Sequence, residues 1–392
     1  MRRVLGLLLA LLLAAAFPGF APPAIAAPPG ISTSAESAAL IDVVSGRLLY
    51  SSRGDKPMRI ASLTKIMTAI VAIEHGKLSD MAKVSKNAFG KEGSSIYLKL
   101  GEEMNLKDLL YGMMLRSGND AATTIAEHVG GSVEGFAYLM NEKARLIGMT
   151  NSSFKNPSGL DEEGHFSTAN DMAKLTAYAL RNPVFQEIVK TKVKKVPNPN
   201  ESWDYTWINK NKMLSLYEGA DGVKTGYTKL ALRCLVSSAT RGGQQVAVVT
   251  LNDSNDWIDH ARLLDYGFQH YPLQTLIQPG EAVDGTGFVA GAGLRYPASE
   301  DEAGGFTRET MLNDPASTEF RLGTAGRVDF KLGGKLIGTV PLVPADSPRL
   351  SDAGGGHAPA YAVDQANWSL ADKWLYILQS LTRMMLTGQT NS

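Results

Sequence analysis

A hydroxyl and an ammonium stand three residues apart at Ser62 and Lys65, inside ASLTKIMTAI (residues 61–70). Leu63, Ile66, Met67, Ala69, Ile70 and Ile73 give the same stretch the apolar face of a helix that packs into a core. Residues at this spacing share one helix face, so the lysine amine can reach the serine oxygen. A serine hydroxyl is a poor nucleophile until a base removes its proton. Lysine can be that base if burial and neighbouring cations lower its pKa. The chemistry indicated is nucleophilic catalysis by serine.

Two further polar islands interrupt otherwise structural segments, Ser117-Gly118-Asn119 and Lys224-Thr225-Gly226. Singly, each island has a plain explanation. Ser-x-x-Lys can be a capping serine with an exposed lysine, Ser-x-Asn a turn, and Lys-Thr-Gly an edge strand ending at a bulge. The specific signal is their order, the first at a helix start, the second between helices and the third on a strand. No His, Cys or Glu cluster has metal-ligand spacing, and the pattern calls for no cofactor.

The elements that must position these residues follow from periodicity. AALIDVVSGRLLYSS reads as two strands around a Ser-Gly turn, leading into the helix with Ser62. NLKDLLYGMML (105–115) is a helix, and AATTIAEHVGG begins another, closed by Gly130 and Gly131. The Arg116–Asp120 connector between them is very short. Helical patterns continue to about residue 190. From Gly219, GADGVKTGYT, RCLVSSAT and QQVAVVTLN read as successive antiparallel strands, and WIDHARLLDYGFQHY as an amphipathic helix. Beyond residue 272 the segments are short, β-like and Gly-rich, as in GRVDFKLGGKLIGTVPLV, which predicts a small all-β domain. The expected organisation is a serine-enzyme domain over 27–271, a β-rich domain over 272–345, a linker over 346–368 and a terminal amphipathic helix over 369–392.

Both ends of the chain bear on location. Residues 1–26 have the charged start, apolar run and Ala24-Ile25-Ala26 of a signal peptide, which predicts export. Without Arg2 and Arg3 the chain carries 37 basic and 39 acidic residues, and nothing points to nucleic acid. Cys234, the single cysteine, cannot form an intrachain disulfide and reads as a small buried residue in a strand. From Ser369, a capping box opens a helix with Trp374, Ile377, Leu378, Leu381, Met384 and Met385 on one side. That run is too interrupted to span a bilayer; it could dock on the body of the protein, but export and its terminal place after a Gly- and Pro-rich connector (344–360) lead us to expect it on the membrane surface.

With these motifs the chain resembles the serine-type D-alanyl-D-alanine carboxypeptidases, the low-molecular-mass penicillin-binding proteins of peptidase family S11. The likeness runs through IASLTKIMTA, MLRSGNDAA, NPSGLDEEGHFSTANDMA and GADGVKTGYT to the β region and the tail. It implies an α/β (α+β) fold of the transpeptidase/β-lactamase type, with helices on a five-stranded antiparallel sheet. It implies a peptidoglycan stem peptide ending in D-alanyl-D-alanine as substrate, and β-lactams as covalent inhibitors. By the same resemblance Ser62 is the nucleophile, Lys65 its base, and Ser117 the relay to the leaving amine. Asn119 holds the substrate amide, and Lys224 and Thr225 take its terminal carboxylate. Gly226 leaves room for an extended peptide, and the N–H groups of Ser62 and Tyr227 form the oxyanion hole. Arg233 departs from the pattern of many members, and lies either near the carboxylate site or toward solvent. His165 is expected to be a structural loop residue.

Two other readings are weaker. A class A β-lactamase needs a deacylating Glu; Glu162 and Glu163 lie in a suitable loop, but the E-x-x-L-N pattern is missing. A silent wall-binding scaffold would be expected to have lost at least one of the three islands, and all three are intact.

Overall fold

Alternating side chains build a sheet with two covered faces. In the computed structural model, which describes residues 27–350, Ala39 and Ile41 enter one core while Leu40 between them enters another. The sheet has five antiparallel strands: β1 (Ser37–Asp42), β2 (Leu48–Ser52), β3 (Ala220–Thr228), β4 (Leu232–Arg241) and β5 (Gln244–Leu251). Their order is β2-β1-β5-β4-β3, so β3 with the Lys-Thr-Gly sequence lies at an edge. The outer side of β3 keeps backbone donors and acceptors available to an added strand.

Helices α1 (Thr64–His75), α2 (Leu106–Arg116), α3 (Asn119–Gly130), α4 (Val133–Leu146), α5 (Ala169–Ala179) and α6 (Pro183–Lys190) contribute to the larger core on one face. Helix α7 (Asp256–His270) covers the other face through Leu263 and Leu264, against Leu40, Leu235, Val246 and Val248. Along α1, Ile66, Met67, Ala69, Ile70, Val71 and Ala72 are all fully buried. A helix apolar on every side belongs in the interior. Each large side chain so buried contributes about 1.5–3 kcal/mol, which is the drive that carries Lys65 inside with its neighbours.

Local sequence fixes the ends that matter. Asn105 caps α2 by accepting from the Asp108 N–H, and Ser117 stops that helix in the left-handed region, at φ 65°. Gly118 then starts α3 at once, so Ser117 and Asn119 sit on a corner between two helices, as the short connector predicted.

Past α7, Leu273–Ile277 pairs with Leu294–Pro297. A second antiparallel sheet contains β6 (Ala282–Val283), β7 (Phe288–Ala290), β8 (Phe306–Leu312), β9 (Gly326–Leu332) and β10 (Lys335–Val343), in the order β6-β7-β10-β9-β8. It has its own core, including Val283, Val328, Phe330, Val340 and Leu342. Gly333 and Gly334, both at positive φ, turn β9 into β10. Arg47 ties the two sheets' surroundings together by donating to the Pro297 carbonyl (2.7 Å) and pairing with Glu302. The signal segment 1–26 and the amphipathic helix 369–392 lie outside the described residues, as does most of the linker.

Candidate active site

Ser62 sits in a single 3-10 turn, Ala61–Leu63, that runs directly into α1. Ala61 is held at φ 47°, a left-handed conformation that costs an alanine about 1–2 kcal/mol. The surroundings hold it there. Thr64 Oγ1 donates to the Ala61 carbonyl (2.9 Å), and His165 Nε2 lies 2.9 Å from that same Thr64 oxygen. The Lys155 N–H donates to His165 Nδ1 (3.1 Å), which leaves Nε2 as the protonated nitrogen of a neutral ring donating to Thr64. Burial brings the His165 pKa down to about 4, so the ring is neutral across the ordinary range. Gly159 packs so closely that a Cβ there would stand 1.8 Å from the Ala61 carbonyl oxygen. His165 is thus structural, as expected, but its structural task is at the turn that carries Ser62.

Lys65 is fully buried, and its Nζ lies 3.2 Å from Ser62 Oγ, 2.7 Å from Asn119 Oδ1 and 2.6 Å from the Ser158 carbonyl oxygen. The last two partners can only accept. A neutral amine has two N–H donors and one lone pair, so the two fixed acceptors leave the lone pair for the serine proton. Burial, then Lys224 and Lys210, push the Lys65 pKa well below its ordinary value, with Asp120 opposing. The three oxygens accommodate either protonation state, and the lowered pKa is what turns the balance toward the neutral amine.

Asn119 is fixed from outside. Its N–H donates to the Ser94 carbonyl (2.7 Å) and its Nδ2 to the Glu92 carbonyl (2.7 Å), so its Oδ1 faces Lys65. The next residue, Asp120, is buried and accepts from Ser95 Oγ (2.6 Å) and from the Ile96 and Leu98 N–H groups (3.1 Å each). One carboxylate therefore clamps the 92–98 loop along this flank of the site. The Ser117 hydroxyl, also buried, has no hydrogen bond to Ser62 or Lys65 among the described residues.

Strand β3 closes the other flank. A Cβ on Gly226 would lie 3.2 Å from the Ser62 backbone N, so any side chain would fill the space over the Ser62 N–H. Lys224 is buried, donates to the Thr225 carbonyl (2.8 Å), and has its pKa brought down to about 7 by burial and then by Lys210. Thr225 is half-buried, and the Tyr227 side chain stands out in solvent.

The structure brings Ser62, Lys65 and Asn119 into direct contact and sets Gly226 against them. Sequence reasoning missed Ser158, Asp120 and Lys210. The first acts through a carbonyl, which no residue type announces. Asp120 was legible as an acid beside Asn119 in a buried connector. Lys210, whose Nζ donates to Ser94 Oγ (3.1 Å), comes from a segment without a motif. Arg233 pairs with the buried Asp256 at the start of α7, its Nε 3.1 Å from Oδ2, with its own side chain still half exposed. Cys234 is a buried strand residue, and burial pushes its thiol up to about 12. Glu162 accepts from Asn156 Nδ2 (2.8 Å) and Glu163 is exposed.

A serine whose hydroxyl faces a buried, deprotonation-prone lysine, beside an open strand edge, defines a serine acyl-transfer enzyme on a helix-covered antiparallel sheet. The D-alanyl-D-alanine carboxypeptidase family model matches residues 23–255, and the chain belongs to that family. It is 38% identical over 277 residues to the D-alanyl-D-alanine carboxypeptidase DacF of Bacillus subtilis, covering 67% of this chain and 71% of that protein. The corresponding DacC of Escherichia coli is 35% identical over 359 residues, covering 83% and 87%. Among solved structures, DacD of Francisella tularensis superposes with a TM-score of 0.65 at 25% identity, over 84% of this chain and 98% of that one. A variant of the Streptomyces K15 DD-transpeptidase gives 0.58 at 31% identity, over 61% and 100%. The chain is accordingly a serine-type D-alanyl-D-alanine carboxypeptidase, and its fold is the transpeptidase-like α/β arrangement expected from the motifs.

Proposed function

We propose that Ser62 is the acylated nucleophile and neutral Lys65 its general base, acting on a stem peptide that ends in D-alanyl-D-alanine. The observation that carries this is the Lys65 contact set: two fixed acceptors and one serine hydroxyl around a fully buried amine. Lys65 takes the Ser62 proton as Oγ attacks the carbonyl carbon of the penultimate D-alanine. The N–H groups of Ser62 and Tyr227 stabilise the oxyanion. Ser117 passes the proton to the departing D-alanine amine, and water then hydrolyses the ester. Asn119 holds the substrate amide. Lys224 and Thr225 receive the terminal carboxylate, and the peptide pairs with the open edge of β3. A penicillin presents a carboxylate and a strained amide to the same groups. Labelling with a fluorescent penicillin should give a stable adduct that maps to Ser62, and Ser62→Ala should lose both the adduct and D-alanine release. Rapid turnover of the label would favour a lactamase, and no label a silent scaffold.

The proposed place of action is outside the cytoplasmic membrane, after export, with the 369–392 helix holding the enzyme to the membrane surface. No helix among the described residues is long and apolar enough to cross a membrane. Ending the chain at Ala358 should move the enzyme from the membrane to the soluble fraction while it keeps activity on a soluble peptide. Retention on the membrane after that truncation would remove the helix as the anchor.

A further inference from the structure

Two aromatic side chains, Tyr97 and Trp203, stand in solvent at 84% and 65% exposure. Tyr97 does so from φ 64°, a left-handed conformation that a bulky residue rarely adopts. Its neighbours Ile96 and Leu98 are both buried, and their N–H groups donate to the buried Asp120 carboxylate (3.1 Å each). The Tyr97 N–H itself donates to Ser95 Oγ (2.8 Å). The backbone is thus pinned on both sides of a ring that is left in water. Strain of this kind, with no buried ring to offset it, points to a task at the surface.

Trp203 lies in the turn that joins the paired strands Val193–Val196 and Tyr205–Ile208. A second buried carboxylate, Glu102, fastens this turn to the Tyr97 segment. It accepts from the Lys99 N–H (2.9 Å), from Asn200 Nδ2 (2.9 Å) and from the Tyr205 hydroxyl (3.1 Å). Lys99 Nζ also pairs with Glu201 (2.8 Å), so each ring stands two residues from one ion pair. The Tyr97 segment reaches the cleft at Ser94, whose carbonyl accepts from the Asn119 N–H (2.7 Å) and whose Oγ accepts from Lys210 (3.1 Å). A fixed, two-ring surface therefore continues outward from the flank of the site.

The chemistry around the rings selects the occupant. A protein partner would bury the half-exposed Lys99–Glu201 pair within the contact, where interfaces are depleted of charge. Lys99 is outnumbered by the exposed Glu201 and Asp204, so an anionic lipid surface is repelled. A sugar chain suits the mixture. The C–H face of a pyranose packs on the electron-rich face of an aromatic ring, and its hydroxyls find amide and carboxylate partners such as Asn200 and Asp204. The stem peptide of the reading above is attached to such a chain, so contacts to the peptide and to the sugars reinforce each other.

We infer that Tyr97 and Trp203 form a docking surface for the glycan strand of peptidoglycan, which directs the enzyme to polymeric wall over free peptide. The inference rests on the carboxypeptidase reading above. Two measurements test it: pelleting of the full-length enzyme with glycan stripped of its stem peptides by an amidase, and D-alanine release from pentapeptide-bearing sacculi relative to free pentapeptide. Tyr97→Asn removes the ring but keeps a residue that tolerates the left-handed region, and Trp203→Ser removes the other ring. Each should weaken pelleting by about five- to ten-fold and lower the sacculus-to-pentapeptide ratio to a similar extent, with release from the free peptide kept. Ratios taken within one variant cancel any loss of folded protein. A wild-type enzyme that does not pellet with stripped glycan, or ratios unmoved in both variants, would overturn the inference and leave the carboxypeptidase standing. Self-association lost in both variants, without glycan pelleting, would give the surface to a second copy and overturn it too. Absence of D-alanine release from either substrate would instead overturn the carboxypeptidase reading, which glycan pelleting does not depend on.

Discussion

Replacing Lys224 with methionine should stabilise the protein while disabling it. The lysine is buried, and its pKa is brought from 10.5 to about 7. At 1.36 kcal/mol per pH unit, holding it protonated in the fold costs about 5 kcal/mol. The unfolded chain binds the extra proton between about pH 7 and 10.5, so wild-type stability rises with pH through that window and carries the full penalty below it. Methionine keeps much of the volume and removes the charge. It forfeits the 2.8 Å bond to the Thr225 carbonyl, about 1 kcal/mol. The net gain should be about 3–4 kcal/mol below neutrality, and relief of Lys65, whose pKa Lys224 helps to lower, acts in the same direction. Thermal unfolding of both proteins at about pH 6, 8 and 9.5 measures this. The variant should melt several degrees higher at the lowest pH, with the gap closing as pH rises. Acylation by penicillin should meanwhile fall about ten- to a hundred-fold through loss of the proposed carboxylate contact. A variant no more stable than wild type at pH 6, or a gap that does not narrow, would refute the reasoning.

Lys65→Ala should slow acylation by about a hundred- to ten-thousand-fold, the usual worth of a positioned base, and near-normal penicillin labelling would require another base. Lys210→Gln removes a cation that lowers the pKa of Lys65 and of Lys224. The acid limb of the acylation–pH profile should therefore move to higher pH, and an unmoved limb would take Lys210 out of the site's electrostatics. Burial depresses the His165 pKa from 6.5 to about 4, so its contribution is present above about pH 6.5 and lost as pH falls toward 4. His165→Gln should flatten the pH dependence of stability across that interval and slow acylation by loosening the Ala61 carbonyl. Unchanged acylation would make the ring a packing residue only.

The three islands were readable because their chemistry is in side-chain type and their spacing is helical or extended. Ser62 and Lys65 at i and i+3 stand one turn apart whether the turn is 3-10 or α, so the irregular Ala61–Leu63 turn did not spoil the inference. The sheet was equally legible, since Ala39, Leu40 and Ile41 alternate between two cores. What stayed hidden acts through backbone or across long separations. The Ser158 carbonyl meets Lys65 over 93 residues, and His165 meets Thr64 over 101. Neither contact has a periodicity. The Arg233–Asp256 pair spans two elements whose relative placement only the fold supplies.

The loop from Asn156 to His165 therefore does more at the site than its composition announces. Its Ser158 carbonyl fixes one proton of Lys65, its Gly159 backbone presses on the strained Ala61, and its His165 anchors the threonine that holds the same carbonyl. These contacts are neutral, which decides the chemistry. An aspartate or glutamate in place of the Ser158 carbonyl would hold Lys65 as an ammonium and leave no lone pair for Ser62. Neutral acceptors inside a dry core orient the amine and leave burial and the nearby cations free to strip its proton. The outer side of the loop is where charge returns, with Glu162 and Asp161 both exposed and lining one cavity. One segment thus keeps charge away from Lys65 on its inner side and presents it to solvent on its outer side.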